Sequence, residues 1–342
     1  MGGIHLETEN NVELTATEIA DLWTAYQTDS MEICGIKFLL IHIDNDDIRE
    51  ILEYALKLSE RHVQELTEVF KKENYPVPRG FTEHDVNLDA PRLYTDKLYL
   101  LYILNMSKMG LATYSLALSN SDRSDIIQYF TTCLNETQKL HNWAKELAKK
   151  KGVLIRAPHI PKPKQIDFVQ DHRFLAGYIG KQRPLIGTEI GPLVFNAKRN
   201  ALGQAVITGF SQVAQNKKVR KFFEQGREIA GKHLEIFSSL LKEDYLSEGT
   251  TTLTSEVTDS TVAPFSDKLM MFQVTALIAS SIGQYGASMS ASPRHDIGVT
   301  YSRLIAEIAK YSNEGAKIMI DNGWMERPPG AADRKDLAKN KD

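Results

Sequence analysis

Apolar residues along this chain recur at steps of three and four, the spacing that lays one face of an α-helix against a core. The clearest stripe follows "DNDD", whose Asp and Asn side chains suit a helix N-cap: Ile48, Leu52, Ala55, Ser59, His62, Leu66 and Val69. Far downstream Val219, Phe223, Gly226, Ala230, His233, Phe237 and Leu240 repeat the pattern. Both stripes predict a helix with an inward-facing histidine. Three more helices are expected beside the first of them. One starts near "LTATEIADLW", where Thr15 and Glu18 have capping-box spacing, and runs to about Ile43. Another starts at Thr95-Asp96 and reads "KLYLLYILNM", apolar nearly all round. The last opens at Ser121 and ends in "AKELAKKKG", where cations suit the C-terminal end of the helix dipole and Gly152 suits a C-cap.

The two stripes belong to a repeat. A shift of 171 places, half of the 342 residues, relates "TEI" at Thr17 to "TEI" at Thr188 and Asp96-Lys97-Leu98 to Asp267-Lys268-Leu269. It also relates Tyr114 to Tyr285, Glu136 to Glu307, Lys139 to Lys310 and Gly152 to Gly323, with no gap. One register held through so many positions marks a tandem duplication.

Four helices per copy, with short first and third connections and a long second one, predict an all-α protein. The fold expected is two tandem ferritin-like four-helix bundles, each up-down-down-up with a long crossover between helices 2 and 3. The expected boundaries are 1–157 for the first bundle, 158–184 for a linker, 185–330 for the second bundle and 331–342 for a polar tail. Pro158, Pro161 and Pro163 argue for the linker because proline denies helix continuation.

Composition then narrows the function. A 42% hydrophobic, 25% charged chain with net charge -3 is globular in type and offers no field for nucleic acid. The two cysteines, Cys34 and Cys133, fall among apolar helical neighbours and have no metal-type spacing, so buried reduced thiols are expected. The start "MGGIHLETENN" lacks signal-peptide regions and has Leu6 where a myristoylation motif wants Ser or Thr, which points to the cytoplasm. The run from Leu269 is too short and interrupted for a membrane span. No phosphate loop, nucleophile elbow or H-E-x-x-H occurs.

The stretches "FLAGYIGKQRPL" from Phe174, "FSQVA" from Phe210, "EVTDSTVAPFSDKLMMF" from Glu256 and "IMIDNGWMERPP" from Ile318 resemble a double-repeat, ferritin-like family of unknown function from spore-forming bacilli. That family is distantly similar to spore coat protein F. The resemblance implies the bundle fold and brings no reaction with it. It also implies that the position of Gln273 is often a histidine in the family.

A di-iron carboxylate bundle needs a Glu from each of two helices and Glu-x-x-His from the other two. Ser59 stands three residues before His62 and Ala230 three before His233, while Lys139 and Lys310 follow Glu136 and Glu307 at the same spacing. The candidate metal ligands are therefore His62 with Glu136 and His233 with Glu307, for iron or manganese if any cofactor binds. The competing expectation is a pair of core histidines, with Glu136-Lys139 and Glu307-Lys310 as i,i+3 ion pairs. Asp96, Asp267, Glu18 and Glu189 are expected as first-turn acids, and Tyr114 and Tyr285 as hydroxyls bonded across their bundles. The leading functional expectation is a non-enzymatic structural or interaction protein of sporulating bacilli, in the cytoplasm or incorporated into the spore, with a protein partner or self-association. The alternatives are a divergent metal-binding oxidoreductase or metal store, and a binder of a small apolar ligand suggested by Gly226 and Ala230.

Overall fold

The computed structural model describes residues 12–178 and 182–339. The start of the chain that bears on targeting, residues 179–181 within the "FLAGYIGKQRPL" stretch, and the last residues of the polar tail lie outside them. Among the described residues, eight long helices form two sets of four. The first set is α1 (Ala16–His42), α2 (Asp46–Lys72), α3 (Asp96–Ser119) and α4 (Ser124–Lys150). The second is α5 (Gly187–Val213), α6 (Lys217–Glu243), α7 (Asp267–Ser290) and α8 (His295–Asp321). Every boundary in the second set lies 171 places after its counterpart, as 187 after 16 and 321 after 150. A short helix, α9 (Arg334–Lys339), follows, so the segment expected as a tail holds one helical turn or more. Among the described residues there is no β-strand beyond isolated bridges.

Local caps set the helix ends. Thr15 and Glu18 close a full capping box, with the Glu18 carboxylate accepting from Thr15 N at 2.8 Å. Asn45 and Thr95 cap α2 and α3 through their side chains. The second copy has Ile186 in the box position, so only the returning half survives, Ile186 N donating to Glu189 at 3.1 Å. The fourth helix begins three residues later than Ser121 predicts. The Ser121 hydroxyl donates to Ala117 O at 2.8 Å, and Glu18 accepts from the amides of Asp122 and Arg123, so these residues form a turn instead.

The same bonds fix the connectivity. Glu18, at the start of α1, holds the turn that ends α3, whereas Asp96, at the start of α3, accepts from Asn45 N at 2.9 Å in the turn that ends α1. Helices α1 and α3 therefore run antiparallel, and with two helical hairpins the order is up-down-down-up. Glu189 and Asp267 do the same in the second copy, accepting from Arg294 N at 3.1 Å and Asn216 N at 2.7 Å. These four acids were expected as first-turn acids, Glu18 also in a capping box; they staple hairpin to hairpin as well.

The long crossovers, residues 73–95 and 244–266, lock the copies together. They meet antiparallel at Val86 with Phe265 and at Tyr94 with Val257. The Thr95 hydroxyl donates to Glu256 at 2.6 Å, and its counterpart Ser266 donates to Asp85 at 2.7 Å. Asp85 and Glu256 are 171 places apart, so each copy supplies an acid to the cap of the other's third helix. That reciprocity is the mark of a two-fold interface, here built within one chain. One deviation is compensated: Gly209 stands where the first copy has Phe38, and a Cβ there would overlap Tyr94, the larger counterpart of Phe265. The Tyr94 hydroxyl uses that space to donate to Val206 O at 2.6 Å. One apolar core accordingly runs through both copies, from Met31 to Met319. A smaller core at the far end of the first bundle gathers Leu22, Leu66, Phe70 and Phe130.

Candidate functional site

Between the two apolar clusters of the first bundle lies a polar layer around His62. The ring is 2% exposed and its Nδ1–H donates to Asp29 Oδ2 at 3.3 Å. Asp29 sits on α1 and is buried itself; it also accepts from the Ser59 hydroxyl at 2.9 Å and from the Tyr114 hydroxyl at 3.4 Å. Tyr114 and Tyr129 stand edge-on to the imidazole, each 6.0 Å between centroids. Burial weighs against a charged imidazole, but the Asp29 carboxylate, with the Cys133 sulfur beside it, outweighs that and raises His62 to about 10. His62 is therefore held as an imidazolium against a buried carboxylate.

One turn along α1, Glu32 accepts from the Tyr102 hydroxyl at 3.0 Å. Burial pushes this carboxyl up to about 7, the Tyr102 bond opposes the rise, and the Asp29 charge adds to it. Tyr102 in turn accepts from Gln273 Nε2 at 2.7 Å, and these two residues are 171 places apart. The buried layer of the first bundle thus ends on the pseudo-two-fold axis, where it touches its own counterpart.

The second bundle places the same helices around a different set. His233 is fully buried, its Nδ1 lying 3.0 Å from the Tyr285 hydroxyl and its Nε2 3.0 Å from Glu307 Oε2. Asn200 replaces Asp29 and donates to the Tyr285 hydroxyl oxygen at 2.8 Å. Gly203 replaces Glu32, and Ala230 replaces Ser59. With the helix-1 carboxylates gone, burial prevails over the Glu307 bond and lowers His233 below its ordinary value. A neutral ring donating from Nε2–H to Glu307 and accepting at Nδ1 from Tyr285 satisfies every atom.

The candidate ligands are brought together in pairs. His62 Nε2 lies 3.8 Å from Glu136 Oε2, short of a hydrogen bond, and has no other partner among the described residues. Both Glu136 oxygens go instead to the Arg61 guanidinium. Glu307 is shared between His233 and Lys232, the counterpart of Arg61. The expected i,i+3 pairs do not form. Lys139 stands over the Tyr54 ring at 4.9 Å, and a cation on the second helix reaches the glutamate from across the bundle.

These donor sets do not fit a di-iron carboxylate centre. Each glutamate already carries a cation, the position three before each histidine has no carboxylate, and among the described residues no three His, Cys, Asp or Glu side chains converge on one point. The sequence reading missed Asp29, Glu32 and Tyr102. Their signal was two acids three apart in the apolar run "DSMEICGIKFLLI".

Two comparisons return a likeness. The sequence profile of a family described as "Protein of unknown function (DUF3231)" matches residues 4–166 and again 173–337. A crystal structure of a candidate spore coat protein from Bacillus halodurans C-125 aligns with a TM-score of 0.40 at 22% identity, covering 47% of this chain and 100% of that one. No curated protein matches the chain.

Proposed function

The chain belongs to the DUF3231 family of proteins of unknown function, and from that premise we propose that it is a non-enzymatic structural or interaction protein of sporulating bacilli, associated with the spore. The cellular setting rests on the resemblance of the "FLAGYIGKQRPL" and "IMIDNGWMERPP" stretches, and the up-down-down-up connectivity is that of ferritin-like bundles by analogy alone. The observation that carries the interaction reading is the linker. It displays Ile166, Phe168 and Val169 at 88%, 79% and 62% exposure, large apolar side chains with no role in either core. A run of exposed apolar groups fits a surface that is covered by protein. Among the described residues, no helix is long and apolar enough to cross a membrane.

The test is a chain with Ile166, Phe168 and Val169 all changed to Ser. These side chains bury nothing, so its melting temperature should stay within about 1 °C of the parent. Sedimentation should show the self-association of the parent, and amine cross-linking from the neighbouring exposed Lys164 its protein contact, both lost in the variant. An unchanged sedimentation and cross-linking pattern would remove the interaction reading. Stoichiometric iron or manganese in protein purified without chelator, lost on His62→Ala or His233→Ala, would favour the metal-binding alternative instead.

A further inference from the structure

Beside its neutral histidine, the second bundle keeps open space. A cavity of about 70 Å³ lies among α5, α6, α7 and α8, with Tyr102 and Asn105 of α3 in its wall. It is lined by Gly203 and Ala230, at the positions where the first bundle has Glu32 and Ser59. A Cβ built on Gly203 meets no atom within 4 Å. A second cavity of about 130 Å³ shares Asn105, Arg199 and Leu202 with the first and reaches Lys108, Lys198 and Phe195.

Arg199 stands where the two cavities adjoin. Its Nη2 donates to the Ser280 hydroxyl at 2.9 Å, while Nη1 is buried with no partner among the described residues. Lys108 lies 4.4 Å above the Phe195 ring, and Arg199 flanks the same ring at 5.6 Å. Lys198 donates to the carbonyl of Ile155, just after the end of α4. Among the described residues no carboxylate pairs with the three cations: burial, and then the positive charges of Lys198, Lys145 and Arg199, hold Lys108 down at about 8. Unpaired buried charge is costly, and a guanidinium with a free, desolvated N–H suits a planar carboxylate. The concave shape, apolar wall and few convergent polar groups are those of a ligand site.

We propose that the two adjoining cavities bind a short-to-medium-chain carboxylate, its apolar chain beside Gly203 and Ala230 and its head group on Arg199 Nη1 between Lys108 and Lys198. In the first bundle Glu32 and Ser59 stand at the positions of Gly203 and Ala230, and Thr28 at that of Arg199. This site is independent of the linker surface and stands or falls separately from it.

Titration calorimetry on the full chain tests it with three probes: sodium octanoate, 1-octanol and inorganic phosphate. Octanoate should bind at one site per chain, with 1-octanol and phosphate each at least about tenfold weaker, since each lacks one half of the recognition. Arg199→Gln should weaken octanoate about tenfold to a hundredfold and leave 1-octanol unchanged. Gly203→Leu should abolish octanoate binding. Leucine there meets open space and is a better helix former by about 1 kcal/mol, so circular dichroism and melting should show a folded chain. The proposal is overturned if the parent chain shows no octanoate binding at millimolar concentration, if phosphate alone binds as tightly, or if folded Gly203→Leu or Arg199→Gln binds octanoate like the parent.

Discussion

At the same height in the two bundles, the same helices carry the same histidine to opposite states. In the first, His62 is charged against Asp29, and Glu32, a second buried acid, lies one turn along α1. In the second, His233 completes a neutral chain from Asn200 through Tyr285 to Glu307. A glutamate from the fourth helix lies near both rings, so it does not decide the matter. The difference lies on the first helix, where one carboxylate has become an amide and another a glycine. Packing follows charge: the polar layer divides the first bundle's core into two clusters, whereas Phe237, Tyr285 and Tyr301 carry the second bundle's core past His233 in one piece.

The largest effect should come from breaking the charged pair. Asp29→Asn copies the second bundle's residue into the first and leaves a buried imidazolium without its counter-ion, at a cost of about 3 kcal/mol. Urea unfolding at neutral pH measures it, and a stability equal to the parent's would show that Asp29 and His62 do not form an ion pair.

The next effect is a pH dependence of opposite sign in the two copies. His62 is raised from 6.5 to about 10, so the stability it contributes is full below its unfolded value and is lost as pH rises through about 10. Glu32, raised from 4.5 to about 7, acts in the same direction and loses its contribution as pH rises through about 7. His233 is lowered, so its contribution is full above 6.5 and is lost as pH falls through its folded value. Hydrogen exchange of α2 and α6, corrected for the intrinsic rate, should show α2 opening more easily toward alkaline pH and α6 toward acid. Parallel trends would contradict the assignment. Glu32→Gln should isolate the acid's share, stabilising the first bundle by about 1 kcal/mol near pH 8 and flattening its response between pH 4.5 and about 7.

Most of the fold was legible because its determinants are local. Thr15, Asn45 and Thr95 cap the helices they start, and the 171-residue shift carries each boundary into the second copy. The site was half legible. His62 and His233 lie on strongly amphipathic helices, so their inward direction could be read from the stripe. Asp29 and Glu32 lie on α1, which is apolar on so many sides that no stripe marks which polar residue faces in. The partner of Glu136 escaped for another reason: spacing along α4 offers Lys139, but only the packed bundle brings Arg61 across from α2. The exchange of Asp85 and Glu256 between copies is farther still from any sequence signal, since it joins residues some 160 to 180 places apart.

The smallest effect concerns the two N-termini. Thr15→Ala should cost about 1 kcal/mol by removing the cap, whereas Ile186→Thr should restore a full box in the second copy and gain up to about 1 kcal/mol. Thermal unfolding of the two variants measures both signs.

The central claim is that a residue on the first helix of each bundle sets the charge of a buried histidine. Nuclear magnetic resonance titration of chains labelled with ¹⁵N at histidine reads it directly, with His62→Gln and His233→Gln assigning the two signals. His62 should remain an imidazolium through neutral pH and titrate near 10, and His233 should stay neutral below its ordinary value of 6.5. Asn200→Asp should move the His233 transition upward. Two histidines titrating together near 6.5, or a His233 transition indifferent to Asn200→Asp, would contradict the account.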